Sequence, residues 1–174
     1  MPKTPKGSRM GEHIVVANST PIILLEKVGQ LGLLERLYSR IFIPEAVFTE
    51  VITDGELRRG GHDFLSGNRW VEIVQVRNAE AKMLFSTNLH EGEVETILLA
   101  IERSADLCII DDLMARKYAK NAGLVITGTL GVIIAAKNKG CIDAVKPVLD
   151  RLLDAGMYLG NDLYLTVLSA AKED

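Results

Sequence analysis

The stretch Asp106-Leu-Cys-Ile-Ile-Asp-Asp-Leu-Met-Ala-Arg-Lys-Tyr-Ala-Lys-Asn-Ala-Gly-Leu-Val-Ile126 decides the fold. Asp106 to Ile110 is a short apolar run of the kind that is buried on both faces of a parallel sheet. An acidic pair ends it, and Leu113 to Asn121 then carries a helical period. Gly123 supplies a stop before a second apolar run, Leu124 to Ile126. Strand, helix and strand in immediate succession make a βα unit whose two strands run parallel.

The same alternation extends outward in both directions. His13 to Ala17 and Arg40 to Ile43 are further short β-rich runs, and Val71 to Val76 reads as a fifth, edge element. Between the first two, Pro21 to Val28 and Leu31 to Tyr38 read as short helices divided by Gly29. Pro44 opens a helix through about Asp54, with Ala46, Val47, Val51 and Ile52 as its inward stripe and Gly55 as its end. Glu56 to Asn68 is charged and flanked by glycines, and is expected to be an exposed, mobile helix, a candidate rim or clamp, before Trp70 anchors the return. Gly92 to Ser104 and Thr129 to Asn138 read as helices, the latter stopped by Gly140. Val145 to Leu153 and Asp162 to Ala171 read as a terminal pair on the flank. The expected class is therefore α/β, with a central parallel sheet and C-terminal helices.

The chain has 174 residues, enough for one domain with a sizeable core. We expect a flexible basic tail over 1–12 and a single domain over 13–174. Hydrophobic residues at 48% and charged residues at 25% exclude disorder over most of the length. No apolar stretch reaches membrane-spanning length, and the start lacks the apolar run of a secretory signal, so no membrane partner is expected. Cys108 and Cys141 share no zinc-binding spacing, which makes a reducing cytoplasm the natural setting. A net charge of -3 disfavours a protein that coats nucleic acid with a broad basic face and leaves room for a local acidic site.

In an open parallel sheet, ligands bind beyond the carboxyl ends of the strands. There the chain places Asn18-Ser19-Thr20 after the first run, Asp111-Asp112 after the third and Thr127-Gly128-Thr129 after the fourth. Glu50, in an otherwise apolar helix, and Glu93, in the first turn of another, can join them. Oxygen ligands of this kind hold Mg²⁺ or Mn²⁺, which activates water and neutralises charge growing on a phosphate. Each residue also has a plainer reading. Either aspartate can cap the helix near Leu113, Glu91 and Glu93 can complement a helix dipole, Glu50 can face solvent, and Thr127 and Thr129 can cap their helix. Arg116, Lys117 and Lys120 could steer phosphate or simply line a solvated helix face. His13, His62 and His90 share no metal-binding spacing, and His90 reads as an exposed loop residue.

Five segments in this order resemble the PIN-domain superfamily, and within it DUF3368-type predicted nucleic-acid-binding proteins. They are Val15-Val-Ala-Asn-Ser-Thr-Pro-Ile22, Ile43-Pro-Glu-Ala-Val-Phe-Thr-Glu-Val51, Glu91-Gly-Glu-Val-Glu95, Ile110-Asp-Asp112 and Thr127-Gly-Thr-Leu-Gly-Val132. The resemblance implies a three-layer α/β/α fold, an acidic Mg²⁺ or Mn²⁺ site, and cleavage of single-stranded RNA as by VapC-like toxins. Glu50, Glu93, Asp111 and Asp112 would take the catalytic, metal-binding places. Asn18 stands where such nucleases usually carry their first aspartate; its amide oxygen can ligate metal but adds no charge and cannot act as a base. Ser19, Thr20, Thr129 and Arg116 would support metal, water or phosphate. A homodimer and a small antitoxin protein are the expected partners besides RNA. The alternatives are a PIN-like RNA-binding or regulatory module that has lost catalysis through Asn18, and a phosphoacceptor receiver-like domain, disfavoured because the acidic pair follows a late strand.

Overall fold

Alternation along each short strand decides which side of the sheet a residue enters. In the computed structural model, which describes residues 13–54, 68–85 and 88–174, β1 (Val15–Ala17), β2 (Ile41–Pro44) and β4 (Leu107–Ile109) form the centre of the sheet. Val15, Ala17, Ile41, Ile43 and Ile109 point into one core, and Val16, Phe42, Cys108 and Ile110 into the other. The first core is closed by α1 (Ser19–Lys27), α2 (Gly32–Tyr38), α6 (Thr129–Asn138), α7 (Lys146–Asp154) and α8 (Asn161–Ala170). The second is closed by α4 (Glu91–Glu102) and α5 (Leu113–Asn121). α3 (Glu45–Asp54) lies along the rim, sending Val47 and Val51 into the first core. The result is a three-layer α/β/α arrangement.

Strand order is β3-β2-β1-β4-β5, all parallel, with β3 (Val71–Val74) and β5 (Ile126–Thr127) at the edges. The chain lays β1, β2 and β3 outward in one direction, then returns to the far side of β1 for β4 and β5. That reversal puts a crevice at the carboxyl ends of β1 and β4, the position where open α/β sheets bind ligands. It also excludes the receiver-like alternative, whose strand order is 2-1-3-4-5.

Element bounds differ from expectation where backbone hydrogen bonds reach past the apolar pattern. The last strand starts at Ile126 rather than Leu124, because Gly123 adopts φ +81° and the Leu124 N–H closes back on the Ala119 carbonyl at 3.0 Å, keeping Leu124 in the cap of α5. α1 begins two residues before Pro21, and Pro44 ends β2 rather than opening α3. A 3₁₀ turn at Ala79–Leu84, capped by the Asn78 side chain on the Ala81 N–H at 3.1 Å, was not expected. Trp70 does anchor the return: it is buried, and its carbonyl accepts the Ile41 N–H at 2.8 Å. The expected tail 1–12, Gly55, and the expected rim helix apart from Asn68 lie outside the described residues.

The terminal pair packs on the α1 and α6 side through Val148, Leu149, Leu152, Val167 and Leu168, and one carboxylate adds polar links. Glu173 accepts the Lys137 ammonium at 2.6 Å and the N–H groups of Val145 and Lys146 at 2.6 and 2.9 Å, fastening the chain end to α6 and to the start of α7.

Candidate active site

Asn18 closes β1 at the switch point, where its N–H donates to the Ile109 carbonyl of β4 at 3.0 Å. The pleat turns its side chain toward α4, and Oδ1 accepts from the buried Thr96 hydroxyl at 3.4 Å. Ser19, at the first turn of α1, donates its hydroxyl to Glu50 Oε2 at 2.6 Å. Glu50 is half-buried rather than solvated, because its other oxygen accepts the Gly92 N–H at 3.1 Å. The two helices meet closely there: a Cβ on residue 92 would lie 2.6 Å from Glu50 Oε2. Glycine at this position is what lets the carboxylate sit over the N-terminus of α4, where helix N–H groups favour negative charge.

Glu93 is buried, at 9% exposure, and its Oε2 accepts the His90 N–H at 2.9 Å in the capping geometry of that helix. Burial pushes its carboxyl above the usual range; the His90 N–H opposes this, and the negative charges of Asp112 and Glu50 add to the rise. Asp112 is exposed and caps α5, its Oδ1 accepting the Ala115 N–H at 2.8 Å. Residues from α3, α4 and the end of β4 thus share one electrostatic neighbourhood.

Asp111 turns elsewhere. Its two oxygens accept the Thr129 N–H at 2.7 Å and the Thr129 hydroxyl at 2.6 Å, so it caps α6. Gly128 permits this approach, since a Cβ there would lie 2.6 Å from Asp111 Oδ1. The plainer reading, a cap on the helix near Leu113, thus holds for Asp112, while Asp111 caps a different helix. Arg116 is half-buried and donates to the Ile110 carbonyl at 2.8 Å, while Lys117 and Lys120 are exposed on the same helix. Thr20 is exposed beside this second cluster, and Thr129 is fully buried.

Two polar residues at the site carried no assigned role in the sequence reading. Thr96, wholly buried, donates to the Gly92 carbonyl at 2.6 Å besides touching Asn18. Glu95 is buried, pairs with Lys82 of the 3₁₀ turn and accepts the Ala46 N–H at 3.0 Å, so it fixes the start of the helix that carries Glu50. The alternation of Glu91, Glu93 and Glu95 is the only sequence signal for it.

Residues 14–173 match a family model described as DUF3368, a PIN domain. The chain belongs to the PIN-domain family. No curated protein matches it. Membership gives this PIN domain a nuclease-type fold, in a family whose nucleases generally use divalent metal ions and typically bind nucleic acid. No helix among the described residues is long and apolar enough to cross a membrane.

The donor set suits such an ion in kind. It offers oxygens only, and Glu93 Oε1 and Asp112 Oδ2 make no hydrogen bond among the described residues. The repulsion from Asp112 and Glu50, which adds to the effect of burial on Glu93, is also what a cation would relieve. In spacing the set is open: among the described residues no three His, Cys, Asp or Glu side chains are gathered closely enough to hold a metal ion. Of the five ligands expected from sequence, Asp111 is committed to Thr129.

Proposed function

We propose that this PIN domain is a metal-dependent endoribonuclease that cuts single-stranded RNA, with Glu50, Glu93 and Asp112 as the groups that hold Mg²⁺ or Mn²⁺. The observation that carries the reading is the meeting of acids from three separate elements at the sheet's switch point, where the charges of Asp112 and Glu50 add to the burial that raises Glu93. A divalent ion held there would supply positive charge to the scissile phosphate and acidify water.

The protein's own groups do the positioning. Ser19 and the Gly92 N–H hold the Glu50 carboxylate, the His90 N–H holds Glu93, and the Ala115 N–H holds Asp112. Asn18 offers an uncharged oxygen beside them. Asp111, through Thr129, keeps α6 against the end of β4, and Thr20 and Arg116 lie where a neighbouring phosphate could be met. By likeness to VapC-like toxins, this reading includes a homodimer, a small antitoxin partner and a cytoplasmic setting.

Cleavage of labelled single-stranded RNA with Mg²⁺ or Mn²⁺ tests it, run on the wild type and on Asp112→Asn and Glu93→Gln from identical preparations. The reading expects metal-dependent cutting that falls by about a hundredfold or more in each variant. Equal activity in all three would refute it. Asn18 and the open spacing favour one second reading, an RNA-binding module with weakened catalysis; absence of Mn²⁺ binding in calorimetry at millimolar metal would favour that reading.

A further inference from the structure

Beyond the carboxylates, a groove of about 800 Å³ runs between α1, α6, α8 and the Gly156 to Leu159 connection. Its walls are mainly apolar, formed among others by Leu24, Leu130, Ile134, Met157 and Leu163. Tyr158 stands at its edge with 94% of its surface exposed, and Leu113 with 83%. The volume is that of a pocket for a small, largely apolar group.

Two pairs of consecutive residues join this groove to the acidic site. Ser19 bonds Glu50 while Thr20 lines the groove, and Asp112 acts on Glu93 while Leu113 lines the groove. Asp111 and Arg116 both line the groove, and the donors left free there belong to the guanidinium. Asp111 commits both oxygens to Thr129, whereas Arg116 makes no ion pair among the described residues and keeps donors beyond the one given to Ile110. A guanidinium with free donors, beside apolar walls and an exposed aromatic ring, complements a phosphate next to a flat, unstacked base.

We infer that the groove is a nucleobase subsite: it takes a base of the single strand that crosses the acidic site, with Arg116 on the adjoining phosphate and Tyr158 as the stacking face. This names how the proposed nuclease would grip its substrate and rests on that reading, but binding is measured apart from cutting. Fluorescence anisotropy of a short fluorescein-labelled single-stranded RNA, in EDTA, compares the wild type with Tyr158→Ala, Leu163→Asp and Arg116→Gln, each checked for folding by thermal melting.

Tyr158→Ala and Leu163→Asp should each weaken binding by about fivefold or more, and this difference from wild type should vanish on an abasic strand of equal length. Arg116→Gln should weaken both strands and lower the salt slope by about one. RNA affinity unchanged by Tyr158→Ala and Leu163→Asp overturns the inference. So does a change of self-association in Leu163→Asp with affinity retained, which would make the groove an interface between copies. Metal-dependent cutting with groove-independent binding removes only this inference; groove-dependent binding without cutting removes only the nuclease reading.

Discussion

Asn18 shows how much one atom can matter at a site of this kind. An amide oxygen and a carboxylate oxygen occupy the same volume, yet only the second brings charge to a cation. Asn18→Asp should therefore tighten Mn²⁺ binding by about tenfold, because affinity at oxygen sites follows ligand charge count. It should also lower the melting temperature of the metal-free protein, since a carboxylate at this buried position would hold its charge out of water. Calorimetry and melting curves with and without Mn²⁺ check both; unchanged affinity would show that Asn18 lies outside the metal's reach. Asn18 was legible as a polar residue just past a strand end, Glu50 as an acid in an otherwise apolar helix, and Glu93 as an acid in a helix's first turn. The division of labour between Asp111 and Asp112 was not, because the partner that claims Asp111 is Thr129, which lies on a different helix beyond the next strand. Thr96 was equally silent: a threonine inside an apolar helix says nothing about the hydroxyl's direction.

Helices and strands were legible because their apolar periods are strong, and their junctions were not. The start of β5 depends on a cap closing back onto α5, and the 3₁₀ turn at Ala79–Leu84 is too short to display a period. The junction with most consequence is the approach of α3 to α4. Gly92→Ala adds a methyl group that must displace the Glu50 carboxylate, the flexible end of a side chain, and not the backbone. Stability should change by less than about 1 kcal/mol, as alanine suits a helix better than glycine, while metal-dependent cleavage should fall by about tenfold or more. Melting curves and cleavage rates on the same sample separate the two effects. Loss of both together would mean that the two helices themselves had been forced apart.

For the whole molecule, the parallel α/β class followed from alternation, but strand order did not, because periodicity carries no information about which strands are neighbours. The reversal at β1 is a property of the assembled sheet, and it is what makes a site of residues that are distant in sequence. The C-terminal pair packs into the first core over that sheet, and Glu173 fastens the chain end to α6 and to the start of α7. Burial pushes its carboxyl up, but the Lys137 ammonium and the Val145 and Lys146 N–H groups outweigh this and hold it at about 2, against an ordinary 4.5. A depressed carboxyl contributes stability that is fully present above the ordinary value and is lost as pH falls toward the depressed one. Glu173→Gln should therefore lower the urea midpoint at neutral pH, by about 1 kcal/mol or more in stability, and flatten the acid limb between those two values. An acid limb identical to wild type would mean that Glu173 carries none of it. The central claim is that acids from three elements serve one ion. Crystals soaked in Mn²⁺ and measured at an anomalous wavelength test this directly. The account predicts a single strong peak at about 2.1 Å from oxygens of Glu50, Glu93 and Asp112; a peak bound by other residues, or none at saturating Mn²⁺, would contradict it.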